Sequence, residues 1–211
     1  DKAVKWIIVN QKIQKDNGLP GTISFLFSKI ISSRSFPEVT GYIINTLFDY
    51  AKYFDSKKVY EAALKASEFE ILLQNPDGSF FEGDVGSFKG PSVFNSAQIA
   101  HGLIRAFKET GDDKYLHSSI KACDWILKVQ GSDGSWGSFN YRNIKRTYDS
   151  KVSESLFEVA QITNNNNYII SAKRNLEFVI TNQKENGWFY NCDNTIERND
   201  SPLLHLIGYT L

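Results

Sequence analysis

The chain has 211 residues, 41% of them hydrophobic and 14% aromatic, enough apolar material to bury a core within one domain or one continuous array. Its 24 basic and 24 acidic residues cancel, so no overall field favours wrapping by nucleic acid, and an anionic partner must be met locally. Two cysteines, Cys123 and Cys192, supply neither a disulfide framework nor the repeated Cys/His spacing of structural zinc, and no apolar run approaches the roughly 20 residues that cross a bilayer.

Taken in chain order, the first element is announced by its end: Trp6 is followed by Gln11, then by the stop Gln14-Lys-Asp-Asn-Gly18. Apolar residues recur at helical spacing over Tyr42–Phe54, and a short link at Asp55 leads to a second helix with Ala62, Ala63, Ala66, Phe69, Leu72 and Leu73 on one face. That helix stops at Gln74-Asn-Pro-Asp-Gly78. After a long link over 78–92 the pattern repeats: a helix over Val93–Lys108, a turn at Gly111, and a helix bearing Ile120, Cys123, Ile126 and Leu127 that stops at Gln130-Gly-Ser-Asp-Gly134. The link over 134–147 precedes a helix over Tyr148–Ile162. A turn at Asn164 and a helix with Ile170, Leu176, Val179 and Ile180 follow, and the stop is Gln183-Lys-Glu-Asn-Gly187. A fourth link, 187–201, brings the chain to a last helical pattern opening at Leu203.

These stops share one grammar. An aromatic residue precedes a Gln at constant spacing in Trp6/Gln11, Phe69/Gln74, Trp125/Gln130 and Phe178/Gln183, and a Gly follows shortly after. Gly accepts the left-handed conformation that ends a helix, and the Asp or Asn before it accepts a tight turn. Two helices per repeat follow. Short links within a hairpin make its helices antiparallel neighbours, so the long links, rich in Gly, Ser and aromatics, gather at one end beside the starts of the inner helices.

The repeated Gln-x-x-(Asp/Asn)-Gly-x-(Trp/Phe) stop, closest to the QW-type repeat in Gln130 to Gly137, resembles the six-hairpin α/α toroids of the squalene-cyclase and prenyltransferase superfamily. The segments beginning at Phe36, Val93, Thr147 and Ser201 resemble bacterial and archaeal toroid proteins associated with surface polysaccharide synthesis. The resemblance implies an all-α fold, an α/α toroid or incomplete toroid arc of about four helical hairpins, with residues 1–211 as a single repeat domain. A full ring has about twelve helices. Methionine is absent and the chain runs from Asp1 to Leu211, which leads to the expectation of a piece of a longer toroid. Such toroids serve cyclases, prenyltransferases, lyases, epimerases and glycosidases, so the fold does not choose the reaction.

Polar residues in the first turns of the inner helices are the first candidates for a site: Glu38, Tyr42, Asn95, Gln98, His101, Tyr148, Asp149, Lys151, Glu154, His205 and Tyr209. Tyr148, His205, Asn95 and Arg146 together would supply the base, the acid and the carboxylate-neutralising groups for proton abstraction beside a uronate carboxylate. Arg142, Tyr42, Gln98, His101, Trp188 and Asp149 are the candidate substrate-binding residues. Bland readings stand beside these: Asn95 and Asp149 as helix caps, His101 and His205 as satisfied core histidines, and Trp6, Trp125, Trp136 and Trp188 as packing between hairpins.

Basic residues Arg142, Lys145 and Arg146, interleaved with Phe139, Tyr141 and Tyr148 and joined by Lys89 and Arg198, suit a sugar-acid site, or else a solvated loop with Arg142 and Arg146 paired to Glu82 or Asp84. Cys192, His205 and Asp193 or Asp200 resemble loosely the zinc ligands of protein prenyltransferases, but Tyr190 stands where the Asp-x-Cys order needs Asp, and no metal or other cofactor is expected. No Asp-x-Asp-Asp acid motif, phosphate loop or hydrolase elbow is present. The leading expectation is a carbohydrate-active toroid protein acting on an anionic cell-surface polysaccharide by lyase or uronate-epimerase chemistry. Its rivals are a non-catalytic glycan-binding or scaffold protein and an isoprenoid cyclase or prenyltransferase-like enzyme. The expected partner is an acidic polysaccharide or oligosaccharide, without nucleic acid or a membrane span, with self-association completing the ring. The sequence leaves the compartment undecided, with a lean toward the cytoplasm.

Overall fold

A computed structural model describes residues 2–26, 29–193 and 204–211. Eight α-helices are found among them: α1 (Lys2–Ile13), α2 (Pro37–Tyr53), α3 (Lys57–Leu73), α4 (Val93–Thr110), α5 (Asp113–Lys128), α6 (Val152–Thr163), α7 (Asn166–Thr181) and α8 (Leu204–Thr210). They form two layers. In the inner layer α2 packs on α4 and α4 on α6; in the outer layer α1, α3, α5 and α7 follow one another; and the pairs α2–α3, α4–α5 and α6–α7 are the antiparallel hairpins that join the layers. The all-α toroid architecture expected from the repeat is the one observed.

Each hairpin is set by local chemistry. Pro37 opens α2, where its fixed φ and missing N–H do no harm. The Ser92 hydroxyl accepts from the Asn95 N–H to cap α4, while the Asp112 and Asn165 side chains cap α5 and α7. Gly111 (φ 69°) and Asn164 (φ 54°) end α4 and α6 in the left-handed conformation and reverse the chain. The third inner helix opens differently from expectation: residues Thr147–Lys151 form a 3₁₀ turn before α6 proper begins at Val152.

The core lies between the layers and centres on α4, twelve of whose eighteen residues are buried. Small residues bring α2 and α4 unusually close. A Cβ on Gly41 would lie 2.9 Å from the Ile99 Cα, and one on Gly102 would lie 2.5 Å from the Gly41 carbonyl oxygen, so neither position tolerates a side chain without moving a helix. Trp136 is buried and donates its indole N–H to the Ile126 carbonyl (2.9 Å), pinning the third long link to the end of α5. Trp6, by contrast, is half exposed on α1 beside Val9 and Ile13.

The long links carry more structure than their composition announces. Antiparallel strands β1 (Ile23–Leu26) and β2 (Lys29–Ser32) form a hairpin between α1 and α2, and β3 (Phe81–Glu82) pairs with β4 (Gly90–Pro91) ahead of α4. Neighbouring links are also bonded to each other: the Val85 N–H donates to the Ser35 carbonyl (2.8 Å), and Thr147 donates its N–H to the Asn191 carbonyl (3.1 Å) and its hydroxyl to the Tyr190 carbonyl (2.9 Å).

Candidate functional site

The openings of α2, α4 and α8, the 3₁₀ turn before α6, and the second and third long links enclose a cavity of about 370 Å³. From α2 come Phe36 and Glu38; from α4, Ser92, Phe94 and Asn95; from the 3₁₀ turn, Tyr148; from α8, His205 and Tyr209; and from the links, Glu82, Asn140 and Tyr141. Aromatic rings form a continuous wall. Phe94 meets Tyr148 edge-on (centroids 5.5 Å, 87° between planes) and Tyr209 at 5.7 Å, while Tyr209 also stacks on Tyr42 (6.3 Å, 15°) and meets the His205 ring edge-on.

Two carboxyl groups face this wall. Glu38 is pushed up to about 7, first by its removal from water and then by the like charge of Glu82, so it holds a proton up to near neutrality. Glu82 instead accepts from the Lys89 ammonium (2.9 Å), which also sits 5.8 Å from the centre of the Tyr141 ring. Behind the wall lies Asp149, fully buried and held by the Asn140 carboxamide; burial pushes it up to about 8 against the opposing pull of that hydrogen bond and of Arg146. Burial also raises Tyr148 above the ordinary phenol value, which favours the phenol as a hydrogen-bond donor over the phenolate a general base would need.

Tyr148, Asn95 and His205 thus line one cavity, as the helix starts implied. Arg146 does not join them: it is wholly buried, and its guanidinium donates to the Asp193 carbonyl. Arg142 stands exposed at the rim in the left-handed region (φ 62°), 5.9 Å from the centre of the Tyr141 ring. The expected pairing of Arg142 or Arg146 with Glu82 is replaced by the Lys89–Glu82 pair. Asn95 is not an N-cap; that role falls to Ser92, whose hydroxyl donates to the Asn95 carboxamide oxygen (3.0 Å), and the Asn95 amide reaches the Phe81 carbonyl (3.4 Å). Asp149 lies inside the 3₁₀ turn with its carboxyl on Asn140 rather than on helix N–H groups.

Tyr42 and Gln98 sit a turn below the mouth, Gln98 fully buried. His101 is further down α4, its Nδ1 3.1 Å from Glu158 on α6. Trp188 belongs to the turn after α7, where its N–H donates to the Asn186 carboxamide, and it is not part of the cavity wall. Cys192 is buried against Val179 and Phe189, and no group of three or more metal-binding side chains occurs among the described residues. Arg198 and Asp200 lie outside the described residues. Tyr141 is one of the aromatics expected beside the basic residues of the third link and Glu82 was expected only as an ion-pair partner, whereas Asn140 was not anticipated; all three arrive on links whose path follows no period.

Below the mouth, the inner helices present polar stripes at helical spacing. Asn45, Asp49 and Lys52 of α2, His101, Arg105 and Lys108 of α4, and Glu158 of α6 line a groove of about 520 Å³. Arg105 pairs with Asp49 (2.7 Å) and Glu109 (2.8 Å), and Lys108 with Glu158 (3.0 Å), so the concave wall is ionised along its length. None of the described helices is long and apolar enough to cross a membrane.

Fold and cavity together define an α/α-toroid arc with its candidate site at the mouth formed by the inner helix starts. The chain belongs to the squalene-hopene cyclase C-terminal domain family, whose family model matches residues 2–210. No curated protein matches it. Among solved structures it is similar to a possible member of the GH105 family from Salmonella enterica serovar Paratyphi A (TM-score 0.71, 10% identity, 98% of this chain and 58% of that one). It is also similar to the Lin0763 protein of Listeria innocua (0.62, 15%, 83% and 53%) and to a GH76 α-mannanase from Bacteroides thetaiotaomicron (0.61, 19%, 76% and 48%). At these identities the likeness is one of fold, and the chain spans about half the length of the structures it matches.

Proposed function

We propose that the mouth cavity is a carbohydrate site and that the protein acts on a polysaccharide by cleaving a glycosidic linkage, with Glu38 as the proton donor. The observation that carries this reading is the placing of Glu38, still protonated near neutrality, in a cavity that alternates aromatic faces with amide, hydroxyl and carboxyl groups. Aromatic faces suit the C–H faces of sugar rings, the polar groups suit their hydroxyls, and a carboxylic acid is what a departing glycosidic oxygen needs. Two of the fold neighbours carry glycoside hydrolase family names, which agrees with the reading.

Lyase or epimerase chemistry on a uronate is the second reading, supported by the meeting of Tyr148 and His205 in the same cavity. It is less well served, because abstraction beside a carboxylate requires that carboxylate to be neutralised. Arg146 is turned into the core and Lys89 is committed to Glu82, which leaves that task to Arg142, exposed at the rim beside the Tyr141 ring. The isoprenoid reading fares worse: the ionised wall beneath the mouth would strand charges against a hydrocarbon.

The test is incubation with a panel of neutral and acidic polysaccharides, followed by reducing-end release and by the ultraviolet absorbance of unsaturated products. New reducing ends without absorbance, lost in Glu38→Gln, support the hydrolytic reading. Absorbance that survives Glu38→Gln and disappears in Tyr148→Phe supports the lyase reading instead. Neither product, together with no calorimetric binding across the panel, overturns the carbohydrate site.

A further inference from the structure

The outer helices are joined by a repeated three-part latch. Between α3 and α5, Glu68 accepts from the Tyr115 hydroxyl (2.7 Å), and Gln74 both donates to the Ser118 carbonyl (2.8 Å) and accepts from the Ser118 hydroxyl (2.8 Å). Gly78 (φ 95°) closes over the Lys121 carbonyl so tightly that a Cβ would lie 2.3 Å from it. Between α5 and α7 the same parts recur: Asp124 with the Tyr168 hydroxyl (2.6 Å), Gln130 with the Ser171 carbonyl (2.9 Å) and hydroxyl (3.0 Å), and Gly134 (φ 84°), whose Cβ would lie 2.2 Å from the Arg174 carbonyl. The receiving helix supplies a carboxylate, a Gln and a Gly; the incoming helix supplies Tyr-x-x-Ser, as Tyr115 to Ser118 and Tyr168 to Ser171.

Helix α7 and its turn carry the receiving set again, Glu177, Gln183 and Gly187, at the spacing of the two earlier copies. Here nothing from another helix fills it among the described residues. Glu177 and Gln183 are exposed, the Gln183 amide reaches only the Gly187 carbonyl of its own turn (3.4 Å), and Gly187 (φ 85°) has open space where Gly78 and Gly134 have a neighbouring backbone.

We propose that this edge of α7 is the docking site for a further outer helix of the same repeat type, one that opens with Tyr-x-x-Ser. Its Tyr hydroxyl donates to Glu177, its Ser exchanges hydrogen bonds with Gln183, and its backbone one turn later lies on Gly187. The occupant is chosen by continuity with two established interfaces, and the inference does not depend on the carbohydrate reading.

The test extends the full chain from Leu211 with a copy of residues 157–189, so that α8 runs on into a second copy of α7. The expected result is a higher urea midpoint, with Gln183→Ala lowering the folding constant about tenfold in the extended chain and hardly at all in the unextended one. An equal effect in both chains overturns the proposal.

A second measurement guards against an extension that does not dock. A synthetic helix of residues 164–183 is titrated into the unextended chain with NMR detection of Gly187 and of the Gln183 side-chain amide. Saturable shifts at those two residues, weakened when the peptide carries Tyr168→Phe and Ser171→Ala, support the latch. Equal binding of both peptides, shifts elsewhere, or silence together with an indifferent extended chain overturn it. A concentration-dependent dimer that dissolves with Gln183→Ala would make a second copy the occupant and likewise overturn the proposal.

Discussion

Glu70 lies wholly inside α3, and neither carboxyl oxygen has a hydrogen-bond partner among the described residues. Burial, and then the charge of Asp16, raises it well above the ordinary carboxyl value. Because the folded value is the higher one, this group favours the native state at acid pH, and that contribution is lost as the pH rises from the unfolded value of about 4.3 toward the folded one. Glu70→Gln is therefore expected to raise stability near neutral pH by about 1–3 kcal/mol and to flatten the slope in between. Urea denaturation at acid and neutral pH reads both; a lower midpoint at neutral pH would contradict the sign. For Glu38 the same direction has a functional reading. If it donates a proton, activity should be sustained below about pH 7 and fall as the pH rises through it, and Glu38→Gln should remove activity with no loss of melting temperature.

Punctuation in the sequence marks the helix starts, and that is why Tyr148, Asn95 and His205, which line one cavity, can be grouped at one mouth from spacing alone. Arg146, two residues from Tyr148, cannot. Which way it points depends on the 3₁₀ turn and on the Asp193 carbonyl far along the chain, neither of which leaves a periodic trace. Asn140 carries no signal for the same reason, and Glu82 stands out in the sequence only as a carboxylate able to pair with an arginine.

At the scale of the element, the Gln of each stop was readable as a helix end, whereas its second role was not, since its partner lies about forty residues away in the next outer helix. The structure also settles which Gln serves the first hairpin: Gln11 bridges to the Ala62 carbonyl (2.9 Å), and Gln14 turns to Ser32 and Ser33. Gln130→Ala removes bonds to Ser171 and Gly134 at once and should cost about 1–3 kcal/mol in a denaturant titration. Glycines separate the two sources of strain. Among the described residues Gly187→Ala meets only the backbone penalty of a positive φ, about 1–2 kcal/mol, whereas Gly134→Ala adds a collision with the Arg174 carbonyl and should cost clearly more. Equal losses at the two positions would mean that the α5–α7 approach is looser than its geometry indicates.

Considered as a whole, the molecule is a row of hairpins in which each holds chiefly its neighbours, so its stability should be graded along the row. Helix α4, packed on α2, α5 and α6, should exchange its amide hydrogens slowest. Helix α1, which packs chiefly on α3 and leaves Trp6, Val9 and Ile13 half exposed, should exchange fastest among the outer helices. A mass-spectrometric exchange series reads this order directly, and uniform protection would indicate all-or-none behaviour instead.

The stitching of one long link to the next, Ser35 to Val85 and Thr147 to Tyr190 and Asn191, bears on how a ligand would be admitted. Loops tied pairwise through their main chains give the rim a contour that exists before anything arrives. Selection at such an entrance falls to the incoming molecule's own outline, which must suit a frame already set, and little of the protein has to be ordered afterwards to hold it.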